Sequence, residues 1–234
     1  MKEIVFTLDA GALVIPKQYY PCPASKELPN WYKQMDSYRG ETKTGHNRFT
    51  NATMKRCMPL LDSMSMGYYL KTFTEISIVT NNDERTFNWS SLDHPDLIQY
   101  HPQGMVVGYK EIDLRLGAPK LYNPWGIKTP KGYSCLIIPP MHNPAIGIRI
   151  LDGVVDTDTY TNAIQFPFIV DENFTGDIPA GTPIAQIIPF KRDDFKMKFG
   201  TDEDREKDKK ILFHVRSSFQ NVYKEHYRKK KNYT

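Results

Sequence analysis

The chain has 234 residues, 40% of them hydrophobic, and its 31 Lys and Arg against 27 Asp and Glu leave a net charge of +4. A chain of this length with 12 Phe, 14 Tyr and 3 Trp can bury a substantial core, which excludes a wholly disordered, collagen-like or coiled-coil protein. The charge excess is too small to imply a nucleic-acid or membrane partner by itself. Cys22, Cys57 and Cys135 are odd in number and far apart, with no CxxC pair, so neither a disulfide framework nor a structural zinc site is expected. The first residues carry Lys2, Glu3 and Asp9 where a signal peptide has an apolar run, and no stretch reaches the roughly 18 apolar residues that cross a bilayer. The expectation is a soluble intracellular protein with no membrane partner.

Residues 3–14 alternate into an apolar run and predict a strand, whereas 16–29, with Pro16, Pro21, Pro23 and Pro29, predict a covering loop. Leu28, Trp31, Tyr32 and Met35 at helical spacing after Ser25 predict a short amphipathic helix over 25–35. In 51–69, Met54, Met58, Met64 and Met66 surround Pro59 and Gly67, which reads as a broken helix leading into a strand, its methionines filling core space. Residues 70–80 alternate with period two, Asn81-Asn82-Asp83 turn the chain, and a second strand follows from Arg85, forming a hairpin. His94-Pro95 and His101-Pro102 lie seven residues apart, and His94, Asp96 and His101 match no metal-ligand spacing, so loop histidines are expected.

Residues 122–131 form a turn-rich approach to short apolar runs at 132–140, 146–155, 162–170 and 182–190, each closed by Gly, Pro, Asn or Asp. The gaps are far below the dozen or more residues of a parallel crossover, so the strands are expected to be antiparallel and the fold class mainly β, with a few helices. After Phe190 the composition turns almost wholly charged, which reads as a solvated connection before a C-terminal helix with Ile211, Leu212, Val215, Phe219 and Val222 on one stripe and Tyr223 and Tyr227 at its edge. Arg228, Lys229, Lys230 and Lys231, interleaved with Tyr227 and Tyr233, are the residue types that grip phosphates and stack on bases, and equally those that complement a helix C-terminus. Three segments result: 1–120, strands, loops and short helices packed on the core; 121–192, the core itself; and 193–234, a charged linker and basic helix.

Within 130–192, Gly132-Tyr133, Gly153-Val154-Val155-Asp156-Thr157-Asp158 and Gly181-x-x-Ile184-Ala185-Gln186-Ile187 follow one another at characteristic spacing. In that order they resemble the dUTPase and dCTP deaminase superfamily, over about a quarter of the chain. The resemblance implies the β-clip fold, built of short, strongly bent antiparallel strands that commonly associate as trimers. It also implies that Asp156 stands where the dUTPases hold a water and the sugar hydroxyl, a role that suits a carboxylate able to accept a proton. The family tyrosine that stacks beneath the deoxyribose falls at Thr159, with Tyr160 one residue late, and in a strand an odd shift turns a side chain to the opposite face. Met141-His142-Asn143 replaces the phosphate-binding Arg-Ser-Gly, and Met141 has no guanidinium to offer. The run 164–170, where the deaminases carry a catalytic Glu, offers only Gln165, which cannot act as a base. The chain as a whole, including LPNWYK and CMPLLDSMSMGYY, resembles a family of tailed bacteriophages and some bacteria that brings no activity with it.

Retained strand order with a replaced phosphate motif points to a non-catalytic, homo-oligomeric β-clip module that needs no cofactor and has a binding or structural role. If a phage encodes it, it belongs to the host cytoplasm or the virion and has other phage proteins as partners. From a different class comes a pyrimidine deoxynucleotide hydrolase or nucleotide-binding regulator, with Asp156 as base and Tyr160 against the sugar. His142 and Gln186 would line its ligand, and Arg149, Lys191 or the basic tail would hold the phosphates together with Mg2+. A third reading is nucleic-acid binding through Arg228, Lys229, Lys230 and Lys231. Asp156 fits a turn cap as well as a base, and Gln186 fits a buried amide that satisfies a neighbouring backbone group.

Overall fold

Apolar runs cut short by Gly, Pro, Asn and Asp give strands of two to nine residues, and every strand pairing among the described residues is antiparallel. The structure is a computed structural model that describes residues 2–9, 14–40, 51–81, 86–92, 94–105, 108–109, 116–143, 147–217 and 222–234. In chain order come β1 (Val5–Leu8), β2 (Cys22–Pro23), α1 (Asn30–Gln34), α2 (Met58–Ser65), β3 (Tyr68–Lys71), β4 (Ile76–Asn81), β5 (Thr86–Ser90) and β6 (Ile98–His101). They are followed by β7 (Ala118–Leu121), β8 (Trp125–Lys128), β9 (Tyr133–Ile138), β10 (Ile148–Ile150), β11 (Gly153–Val155), β12 (Phe166–Val170), β13 (Thr175–Ile178), β14 (Pro183–Lys191) and α3 (Asp202–Ser217). The protein is mainly β, and none of its described helices is long and apolar enough to cross a membrane.

The chain divides into two compact units. The first holds residues 1–27 and 67–192 with Tyr233, and contains all the described strands. Its sheets have the orders β11-β9-β14-β3-β2, β10-β12-β7-β6, β13-β4-β5 and β1-β8. They enclose one core in which Ile127, Cys135, Phe168, Ala185 and Ile187 are inaccessible to solvent. Each large aliphatic or aromatic side chain so buried contributes about 1.5–3 kcal/mol. The second unit comprises 28–66 and 193–232 with Thr234, and α1 and α2 bury Tyr32, Leu60 and Met64 there, with Leu28, Trp31 and Leu61 packed around them.

The hairpin expected after residue 70 is present as β4–β5, paired from Ser77↔Ser90 to Asn81↔Thr86, although β3 ends at Lys71 and the chain bends before β4 starts. β1 pairs with β8, β6 with β7, and β3 with β14, so the N-terminal strands are integral to the same sheets as the later ones. Other expectations need correction. His101 lies in β6 rather than in a loop, and His94 packs its ring edge-on against Phe73 at 5.0 Å. The turn-rich stretch 122–131 contains β8, whose Ile127 is fully buried. Ser25 sits in a 3-10 turn and Pro29 stands at the N-cap of α1, which is therefore shorter than expected. Met64 is buried but Met54 is exposed, so only part of the methionine cluster is core.

The charged stretch after Phe190 is not wholly a connection, because α3 begins inside it at Asp202. Thr201 caps that helix: its Oγ1 accepts the Asp204 N–H at 3.3 Å and its own N–H donates to Asp204 Oδ2 at 2.8 Å, a reciprocal capping box. Ion pairs Arg205–Asp202 and Lys209–Glu206 lie one turn apart on its surface. Of the residues expected on the C-terminal stripe, Val222 is buried and Phe219 lies outside the described residues.

Gly67, between α2 and β3, has φ +74°, and a Cβ there would stand 2.1 Å from the Ile187 carbonyl oxygen in β14. Gly67→Ala is expected to cost about 2–4 kcal/mol of stability, combining left-handed backbone strain with a displaced strand. Chemical denaturation of the two proteins checks this.

Candidate functional site

β9 is the middle strand between β11 and β14, pairing Cys135↔Val155 on one side and Tyr133↔Lys191 on the other. Three turns therefore meet at its N-terminal end: Lys131-Gly132 before β9, residues 156–160 after β11, and Arg192 after β14. Arg192 ties them together. Its backbone N–H donates to the Gly132 carbonyl at 2.9 Å. Its Nη1 lies 3.1 Å from the Tyr133 carbonyl oxygen, 2.9 Å from Ser134 Oγ, 3.2 Å from Asp156 Oδ1 and 2.9 Å from Asp158 Oδ1, while Nη2 donates to Asp158 Oδ2. The Gly132 N–H donates to Asp158 Oδ2 at 2.8 Å, and the Ser134 hydroxyl donates to Asp156 Oδ1 at 2.6 Å.

The two carboxylates differ in setting. The Asp158 side chain is only 4% exposed, and the Arg192 guanidinium, followed by the Gly132 N–H, holds its carboxyl down to about 2. The Asp156 side chain is 62% exposed and faces water beside Ser134 and Arg192. Its backbone carbonyl accepts the N–H groups of Thr159 at 3.0 Å and Tyr160 at 2.8 Å, closing the turn that carries both. Residues 157–159 form that turn, so the alternation of faces expected between Thr159 and Tyr160 does not apply. Asp156 is thus both a turn residue and a solvent-facing carboxylate.

The remaining candidate residues lie elsewhere. Gln186 is fully buried in β14 opposite Ile138, and its Oε1 accepts the Met141 N–H at 2.9 Å. It holds the Met141-His142 turn, in which His142 adopts φ +57°, at the far end of β9 from Asp156. Arg149 is exposed in β10 opposite Ile169, in a different sheet. Gln165 serves the main chain as well, its Oε1 accepting the Asn123 N–H at 3.1 Å. Asp156 and Tyr160 share a turn, but His142, Gln186 and Arg149 do not join them.

Mg2+ in nucleotide sites rests on one or two available carboxylates. Arg192 occupies the cation position beside the nearly buried Asp158, so of the two acids Asp156 is the one that faces water. Burial, and next the Glu27 carboxylate, push the half-buried Cys22 thiol up to about 11, and burial raises that of Cys135.

In the second unit the basic tail is partly committed. Arg228 Nε lies 3.1 and 3.2 Å from the two Asp62 oxygens, its Nη2 donates to Oδ1 at 2.6 Å, and Lys231 Nζ donates to Oδ2 at 2.8 Å. These cations, Arg228 foremost, hold the nearly buried Asp62 carboxyl below the usual carboxylate range. Lys229 and Lys230 remain exposed. Sequence reasoning missed Arg192, Asp158 and Asp62. The signal for Asp62 was present, since a lone acid beside Leu60, Leu61 and Met64 on a short apolar helix needs a cationic partner.

No family model matches the chain, and no curated protein sequence matches it.

Two outcomes follow from these ion pairs. The Asp158 carboxyl, followed by NMR, is expected to titrate near pH 2 and to return to the ordinary carboxylate range in Arg192→Gln. Because the folded-state value is depressed, the stabilisation is complete above the unfolded-state value near pH 4 and is lost as pH falls toward 2, so Arg192→Gln should flatten the acid limb of the stability curve. Separately, Asp62→Ala should release the tail, read as faster tryptic cleavage at residues 228–231 while cleavage in the β unit is unchanged.

Proposed function

We propose that the protein is a non-catalytic β-clip module that works as a homo-oligomer in a binding or structural role. What supports this reading most is the fate of Arg192. The cation closest to Asp156 is spent on Asp158, Ser134 and the Tyr133 carbonyl, binding three turns of the chain to one another. A triphosphate needs several convergent donors, and Arg149 lies in another sheet while Met141 and His142 form a turn fastened by Gln186. The strand order that resembles the dUTPases therefore serves as scaffold. The resemblance to tailed-phage proteins assigns the module to the host cytoplasm or the virion, with other phage proteins as partners.

The competing reading, a pyrimidine deoxynucleotide hydrolase with Asp156 as base, makes a different prediction. Calorimetric titration of the full chain with dUTP, dCTP and dTTP in the presence of Mg2+ is expected to give no saturable heat and no thermal shift. Selective binding of one nucleotide, weakened at least tenfold by Asp156→Asn, would replace the module by the hydrolase.

A further inference from the structure

The net charge of +4 over the whole chain conceals two opposite balances. The first unit carries 13 Lys and Arg against 16 Asp and Glu, and the second carries 18 against 11. Within the second unit the excess is confined. Residues 193–217, which include α3, hold seven Lys and Arg and seven Asp and Glu, so the surplus of seven positive charges lies on 28–66 and 222–232. Asp62 fastens those two segments to each other through Arg228 and Lys231, and one carboxylate shared by two cations leaves the group net positive. Lys55 joins them. Its Nζ donates to the carbonyls of Tyr32 and Lys33 at 2.6 and 3.2 Å and lies 4.5 Å from the centre of the Tyr32 ring. The Tyr32 hydroxyl donates to the Lys55 carbonyl at 3.2 Å and is within electrostatic reach of Arg228. Those carbonyls are neutral, so they leave the Lys55 charge uncancelled. Lys33, Lys229 and Lys230, adjacent in the chain to these groups, are exposed.

We propose that 28–66 and 222–232 together form one binding face for single-stranded nucleic acid. The face lies on the second unit and goes beyond the module reading, whose evidence comes from the β unit. Charge selects a polyphosphate chain as the ligand: like charges gathered on one small face repel, and a strand with regularly repeated negative charge relieves that repulsion while releasing its own counterions. Rings among the cations select the single strand. The Arg56 guanidinium lies 4.5 Å from the centre of the half-buried Tyr38 ring, and Tyr223, 43% exposed, accepts the Arg228 N–H on its carbonyl at 2.7 Å. Unpaired bases stack on tyrosine and arginine in this way, whereas a duplex keeps its base faces covered. A lipid surface would need several aliphatic or aromatic side chains entering the bilayer beside the cations. Among the described residues of the two segments, Met54 and Tyr223 are the large apolar side chains that stand exposed. The fastening on Asp62 also changes what the tail offers. Arg228 and Lys231 are held there, so Lys229 and Lys230 are presented in fixed relation to Lys33 and Lys55, and less conformational entropy is lost when phosphates bind.

The test is fluorescence anisotropy of a labelled oligothymidylate of about 16 nucleotides titrated with the full chain. Phosphate contacts from Lys33, Lys55, Lys229 and Lys230 should make the affinity fall about 50-fold between about 50 and 200 mM salt. Lys229→Gln with Lys230→Gln should reduce the slope of log affinity against log salt by about 1.4, and Lys33→Gln by about 0.7. These side chains are exposed, so the variants should keep the wild-type far-UV spectrum and melting temperature. A duplex of the same length is expected to bind at least fivefold more weakly than the single strand. A slope that the tail pair reduces and Lys33→Gln leaves unchanged would overturn the composite face in favour of the tail alone. Equal or tighter binding of the duplex would overturn the single-strand assignment, and sedimentation with phosphatidylserine vesicles at a salt concentration where the oligonucleotide no longer binds would replace it by a lipid surface. No change in anisotropy at low salt up to high micromolar protein would remove the face altogether and leave the β-unit module standing.

Discussion

The first unit depends on one guanidinium. Arg192 follows the last residue of the longest strand, and its position holds the Gly132 turn, the start of β9 and the turn after β11 in fixed relation. Tyr133 and Asp158 lie 59 and 34 residues from Arg192 along the chain, so their closure costs conformational entropy that local structure cannot offset. The planar fork of Arg192 meets a carboxylate, a hydroxyl and a main-chain carbonyl at once, an arrangement that a lysine ammonium could not reproduce. The depressed titration of Asp158 is the electrostatic counterpart of that closure.

The two ends of β9 are fastened by different chemistry. At the N-terminal end the fastening is ionic and half-exposed, centred on Arg192. At the C-terminal end it is a neutral, fully buried amide, Gln186, reading the Met141 N–H. A buried neutral hydrogen bond keeps its strength across pH and salt, whereas an exposed ion pair is screened. Residues that look like ligand-binding groups when read along the sequence become, in the folded chain, the means by which strand ends are held. In the Arg192 cluster, the carboxylate that faces solvent is Asp156 beside Ser134.

The second unit uses the same device once more. Asp62 sits on a short helix whose neighbours Leu60 and Met64 are core, and a charge there is tolerated only because Arg228 and Lys231 neutralise it. The basic block at the chain end therefore has an internal partner, and the cationic surface it offers is reduced to Lys229 and Lys230. Phe195, Met197, Phe199 and Phe213 stay largely exposed in this unit.

Much of the architecture was legible in the sequence. Period-two alternation in 70–80, short apolar runs closed by Gly and Pro after 132, and gaps too small for crossover helices determined a mainly β, antiparallel fold, because these patterns reflect local backbone preferences. The sequence motifs singled out Asp156, Tyr160 and Gln186, but not what each meets, since whether a carboxylate serves chemistry or a turn depends on what lies opposite it in space. The extent of α3 was hidden because a run of Asp, Glu, Lys and Arg reads as solvated chain until capping and ion pairs at helical spacing are seen together. The pairing of β1 with β8 and of β3 with β14, the convergence of Gly132, Asp158 and Arg192, and the partnership of Asp62 with Arg228 were decided only by the tertiary structure. Each joins residues remote in sequence, and no local periodicity encodes a contact whose two halves are set by separate strands and turns.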